Sequence, residues 1–400
     1  MAHRRVIYLS GMRALSVLVI LSLVSLAQVS DATFEGNPAY VLSNGKLSLT
    51  VLKQGTAFAS VTMADDPDKL NPLWDAARMT RELGQTPRFN SGTGHFLCVD
   101  GFGGVSDEER AAGLTGHGEA HLQNFDAKPG RDGRAQTLTL TATLPIVQES
   151  VTRTVGMVEG ENVVYVRTQL ENLLGFDRPV NWAEHATVGS PFAESGVTVI
   201  DISGSRSQTR PYAIPAAGRA NNAQTRRLPR GVDFTWPMAP GIDGKTVDMR
   251  QIPDNPHFLD HTATLLDPAR KLEWISALNP KKHLIVGYIF RRDDFPWLQT
   301  WGSYPATGKF ARGMEFSTQP YDVPRREAVT AGSMFGTPTY RWLPAKSKIE
   351  SRFLMFYARV PEGYSKTDDI RIEGGKVIAE DKGSGKRVEL AASLAAELER

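Results

Sequence analysis

From Gln136 to Leu144 the chain alternates without a break: Leu138, Leu140, Ala142 and Leu144 are separated by threonines. A period of two puts one set of side chains on each face of an extended strand, so this segment reads as a half-buried β-strand. Further strand candidates are Glu149 to Val158, Asn162 to Glu171, Lys271 to Leu278, His283 to Phe290 and Ser351 to Val360. Asn44-Gly45 lies between Tyr40-Val41-Leu42 and Leu47-Ser48-Leu49-Thr50-Val51. Residues that tolerate positive φ make a tight hairpin there. Helical periodicity is nearly absent until Leu390, Leu394 and Leu398 recur at i, i+4, which predicts a short C-terminal helix after a hairpin around Gly374-Gly375.

Strands at short spacing with Gly and Pro turns, and no alternation with helices, predict an all-β chain folded as a large antiparallel sandwich. One main domain over 28–360, followed by a hairpin and helix extension over 361–400, is the simplest division. The main interruption, Ser203 to Pro256, is rich in Pro, Gly and Asn and carries Arg206, Arg210, Arg219, Arg226, Arg227 and Arg230. It reads either as a solvated surface loop or as a basic overhang above a site for an acidic ligand.

The N-terminus changes the picture of where such a sandwich works. Arg4, Arg5 and Arg13 precede an uncharged apolar run from Ala14 to Val24, with small residues Ser25 and Ala27 beyond it. The run is too short to cross a membrane and has the layout of a secretory leader, so the expectation is cleavage near Ala27 and export to the periplasm or medium, with no membrane attachment of the mature chain. The formal net charge of +2 includes those three arginines and no acid from the leader, so cleavage leaves 2 − 3 = −1. A mature chain so near neutral gives no argument for nucleic acid as a partner, and none is expected. The single cysteine, Cys98, precludes an intramolecular disulfide and, within Phe96-Leu97-Cys98-Val99, reads as a buried strand thiol.

The candidate chemistry rests on histidines and carboxylates in unusual settings. His117 and His121 lie in Gly113-Leu-Thr-Gly-His-Gly-Glu-Ala-His121, where glycines allow close backbone approach to a ligand; His185 lies in Asn181-Trp-Ala-Glu-His185 with Pro191-Phe192 beyond it. Glu315 lies in Arg312-Gly-Met-Glu-Phe-Ser-Thr-Gln-Pro320, either facing water or held in a cleft for proton transfer. His117, Glu119 and His121 could share a strand face as metal ligands, but the glycines indicate a loop, and no metal is expected.

In their order along the chain, His-Gly, Asn-x-x-x-His, Phe295-Pro-Trp-Leu-Gln-Thr-Trp301 and Arg-Gly-Met-Glu-Phe, these motifs resemble the galactose mutarotase (aldose 1-epimerase) superfamily over roughly Phe34 to Val360. The resemblance implies a β-supersandwich and a cofactor-free isomerase. It implies Glu315 as general base toward the anomeric hydroxyl, His185 as general acid toward the ring oxygen, and His117 as a second, polarising histidine. The family's substrate-binding aspartate has no clean counterpart, Asp260 in Phe258-Leu-Asp-His-Thr262 being the nearest, and Arg88 stands for its arginine. Trp297 and Trp301 either offer flat faces for a pyranose or belong to the core of the sandwich. The implied partner is a mono- or oligosaccharide, neutral or acidic, and the alternatives are a non-catalytic carbohydrate-binding protein or an accessory sandwich of a polysaccharide-degrading enzyme.

Overall fold

The structure, a computed structural model, describes residue 1 and residues 28–87, 92–212, 226–254 and 258–399. The expected leader with its cleavage point, Arg88 and Arg219 lie outside the described residues. Antiparallel pairing of alternating strands builds two large sheets. The larger has eleven strands: Gln28–Phe34, Asn37–Ser43, Leu47–Leu52 and Phe58–Met63, then His95–Cys98, Ala183–Gly189, Ala311–Ser317, Trp297–Tyr304 and Phe258–Leu266, and finally Gly204–Thr209 and Asp233–Thr235. The second has eight, in the order Val199–Ile202, Leu272–Asn279, Leu284–Arg291, Lys348–Arg359, Val163–Asn172, Glu149–Val158, Ala135–Leu144 and Asp126–Asp132. Leu49, Leu97, Val188 and Phe316 of one sheet meet Leu138, Val155, Val286 and Phe353 of the other in a shared core. The chain is therefore an antiparallel β-sandwich, as the alternation predicts. Among the described residues no helix is long and apolar enough to cross a membrane.

The hairpin at Asn44-Gly45 forms, with Gly45 at φ 82°. Asn44 holds it from both ends: its Oδ1 accepts from Lys46 N and Leu47 N at 3.1 and 2.8 Å, and its Nδ2 donates to Val158 O and Glu161 O on the other sheet at 2.7 and 2.8 Å. Gly374 and Gly375, at φ 57° and 72°, make the second hairpin, between Asp369–Glu373 and Lys376–Asp381. With Lys386–Ala391 these strands form a small sheet. Its Ile370, Val377 and Ala379 cover Trp274, Ile289, Leu354 and Phe356 on the outside of the eight-stranded sheet. The C-terminal helix is only Ala395–Glu399, a 3-10 turn, because Leu390 belongs to the strand before it.

The segment 203–256 is more than a loop. Gly204–Thr209 and Asp233–Thr235 extend the larger sheet, and Met238–Pro240 pairs with Thr246–Asp248. Three helices of five to seven residues, Ala76–Glu82, Asp107–Ala111 and Arg325–Ala331, interrupt the strands.

Glu273, on the strand Leu272–Asn279, is fully buried, and burial pushes its carboxyl up to about 8 from 4.5. The folded chain therefore keeps a proton that the unfolded chain releases above pH 4.5, and stability is lost as pH rises from there through about 8. Glu273→Gln removes that loss. Urea melts should show a gain of about 2–4 kcal/mol at pH 8 and almost none at pH 4.5. Equal effects at both pH values would show that the carboxyl does not titrate in this window.

Candidate functional site

The site is built from a row of side chains running across five neighbouring strands. Register sets Phe96 against His185 and Gln299 against Glu315. Glu184 pairs with Phe316 and Thr187 with Gly313, so His185 stands abreast of Glu315. Alternation sends Leu97, Leu298 and Phe316 into the core between the sheets. It sends Phe96, His185, Glu315 and Gln299 to the opposite face, where they line a cavity of about 270 Å³ together with Trp74, His117, His121, His261, Trp301 and Asp322.

His117 reaches the cavity from the loop that follows Cys98. Its backbone is left-handed, at φ 68°, and its N–H donates to Gly103 O at 2.8 Å. Gly118 beside it could carry no side chain, since a Cβ there would lie 2.7 Å from Val99 O. Gly103 N donates to His117 Nδ1 at 3.3 Å, so the neutral ring carries its hydrogen on Nε2. Glu119 does not join the histidines as a ligand. Its carboxylate accepts from Ile146 N, Val147 N and Gln123 Nε2 and so pins the turn after Leu144.

At the centre, His185 Nε2 stands 3.3 Å from Glu315 Oε1, and His185 Nδ1 stands 3.1 Å from Thr187 Oγ1. Phe96 stacks on the imidazole at 4.3 Å. Gln299 is oriented by Asp322 N, which donates to its Oε1 at 2.7 Å; its Nε2 then donates to Glu315 Oε2 at 3.0 Å and faces His261 Nε2 at 3.0 Å. Burial disfavours every charged form here. It pushes Glu315 well above the usual carboxyl range, against the Gln299 hydrogen bond. It pushes His185 well below the usual imidazole range, helped by His117, and brings His117 down to about 4. Burial thus favours the uncharged forms of both partners, a carboxylic acid beside a neutral imidazole.

Of the residues singled out in the sequence, Glu315, His185, His117 and Trp301 come together around this cavity. Asp260 and Trp297 do not line it. Asp260 is one residue from His261 and so points through the sheet the other way, where it is fully buried and takes both nitrogens of an Arg227 fork, Nε lying 2.9 Å from Oδ2. Trp297 is covered by the hairpin at Ser333–Pro338 and donates Nε1 to Pro338 O at 2.8 Å. Three of the arginines expected to overhang the site are engaged by other groups: Arg210 by Asp322, Arg227 by Asp260, and Arg206 over the Phe335 ring at 4.0 Å. Sequence reading passed over Trp74, His261, Gln299 and Asp322. Gln299 lay inside the quoted Phe295 to Trp301 motif, and its period-two relation to Trp301 was the available signal.

No protein family matches the sequence, and no curated protein does. Solved structures do match. A galactose mutarotase-like protein of Clostridium acetobutylicum superposes with TM-score 0.56 at 11% identity, over 83% of this chain and 99% of that one. This chain has the galactose mutarotase-like fold. A galactose mutarotase-like protein of Lactobacillus casei gives TM-score 0.53 at 13% identity, over 80% of this chain and all of the other. A galactose mutarotase related enzyme of Lactobacillus acidophilus gives TM-score 0.51 at 14% identity, over 84% of this chain and all of the other. On this mutarotase-like sandwich, three of the five strands that line the cavity, Ala183–Gly189, Trp297–Tyr304 and Ala311–Ser317, hold motifs that carried the resemblance in the sequence.

Proposed function

We propose that this chain interconverts the anomers of a reducing sugar, with Glu315 and His185 moving the protons. The observation that carries this reading is the pair itself: an acid and an imidazole 3.3 Å apart on the wall of a cavity of about 270 Å³, with one proton to exchange. The anomeric carbon bears two oxygens, the hydroxyl and the ring oxygen, and a pair so spaced serves both at once. His185 Nε2 takes the hydroxyl proton while Glu315 gives its proton to the ring oxygen, and the bond from the anomeric carbon to the ring oxygen breaks to leave a carbonyl. After rotation about the adjoining carbon–carbon bond, the carbonyl closes on its other face, His185 returning its proton and Glu315 taking one back.

This order of events revises the assignment implied by the resemblance. In this reading Glu315 acts as base and His185 as acid in ring closure, and the reverse holds in ring opening, because burial favours the protonated carboxyl and the neutral imidazole. His117, whose Nε2 carries hydrogen, donates to a sugar oxygen and stays neutral. The protonation state is open to direct measurement. Imidazole nitrogen NMR shifts should show His185 neutral at pH 6, below the pH of about 6.5 at which an ordinary histidine is half charged. An imidazolium at that pH would restore the opposite assignment.

Polarimetry tests the activity itself. Freshly dissolved α-glucose or α-galactose should reach its equilibrium rotation faster with the protein than in buffer alone. Sugar binding without any acceleration would leave a carbohydrate-binding protein in place of the isomerase.

A further inference from the structure

The cavity of about 270 Å³ has a neighbour. A second one, of about 350 Å³, opens beside it, and both are lined by Trp74 and Trp301. The two indoles meet edge to face at 6.2 Å and stand as a ridge between the chambers. Trp74 is seated by Gly189, where a Cβ would come within 2.8 Å of its Cα. Beyond the ridge the walls come from Met79, Thr80 and Gln85 of the Ala76–Glu82 helix region and from Ser303 and Thr307. Among the described residues lining this chamber the single charged side chain, Lys309, is engaged by Glu82.

From this geometry we infer that the ligand is longer than one ring: a neutral oligosaccharide of at least two units. Its reducing ring would sit at Glu315 and His185, and the next ring would cross the Trp74–Trp301 ridge into the second chamber. The chemistry of the walls fits this occupant. Indole faces stack on the C–H faces of pyranoses, while hydroxyls and an amide exchange hydrogen bonds with sugar hydroxyls at no cost in charge burial. The direction of the chain, reducing end inward, rests on the anomer-interconversion reading; the two-ring length rests on the paired chambers alone.

Calorimetric titration with glucose set against maltose and cellobiose, and galactose set against galactobiose, tests the inference, with mutarotation of each sugar followed in parallel. At least one disaccharide should bind about tenfold more tightly than its monosaccharide. Thr307→Trp, at an exposed turn where a large ring fills the second chamber, should bring that ratio close to one. Equal affinities for mono- and disaccharides in the unaltered protein, or a ratio that Thr307→Trp leaves intact, would overturn it, as would failure of every sugar to bind. A disaccharide preference without accelerated mutarotation would uphold the two-ring ligand and remove the isomerase reading.

Discussion

Glu315→Gln should slow mutarotation by about 10² to 10⁴-fold while changing sugar affinity little. The substitution keeps the shape of the side chain and its place opposite Gln299, but an amide neither gives up a proton to the ring oxygen nor takes one back. Only the proton-transfer step suffers, so rate and affinity should separate. Glu315 is fully buried, and burial favours its neutral form, so an amide of the same shape replaces it with little change in charge. His185→Asn should also lose most of the rate, and the double variant should be little slower than either single one, since acid and base serve one proton cycle. Polarimetric rates measured beside calorimetric affinities decide the matter. Additive losses, or a parallel fall in affinity and rate, would mean that Glu315 binds sugar without transferring its proton.

The second large effect lies on the other side of the same strand. Glu184, next to His185 in sequence, points into the core, where Arg153 from the opposite sheet grips it with two hydrogen bonds of 2.8 and 3.0 Å. His95 Nε2 stands 2.9 Å from the same carboxylate, Thr168 Oγ1 accepts from Arg153 at 3.0 Å, and all three charged or titratable side chains are fully buried. Burial opposes the Glu184 carboxylate, yet Arg153 and His95 outweigh it and hold the carboxyl below its usual range. Arg153→Met strands an anion among Phe58, Tyr288 and Phe353 and should cost about 3–5 kcal/mol. The double variant Arg153→Met/Glu184→Leu should recover much of that loss, because apolar packing replaces both partners together. Urea unfolding of the single and double variants would show it. A single variant as stable as the parent would mean that the ion pair contributes nothing to the sandwich.

How much of this could be read from sequence followed from side-chain alternation. Long strands with one open face, such as Ala135–Leu144, announced themselves by period. Leu284–Arg291, covered on both faces by the core and by the C-terminal sheet, reads as an almost unbroken apolar run. Glu315 was legible as a carboxylate between Met314 and Phe316, His117 by the glycines around it, and the two together with His185 by the order of their motifs. Sequence order does not say which of the neighbours Asp260 and His261 faces the cavity; a shift of one residue exchanges the faces. Trp297 shares a strand with Trp301, but the hairpin that covers it comes from residues 333–338, far along the chain. The strand Gly204–Thr209 carries no apolar alternation and exists because Phe258–Leu266 offers it an edge. The three short helices make two turns or fewer, too few for a period to emerge.

The strand Lys348–Arg359 occupies an unusual place in this architecture. It lies between Leu284–Arg291 and Val163–Asn172, pairing with one edge formed early in the chain and one formed late. Until it arrives, the eight-stranded sheet is two separate pieces, each with an open edge and an uncovered apolar face. A chain that emerges from its N-terminus must therefore wait for residues 348–359 before the sandwich can seal, however fast its hairpins form. During that interval the half-sheets are open to pairing with other chains. The yield of folded protein should then depend on how long that interval lasts and on what shields the two edges while it does.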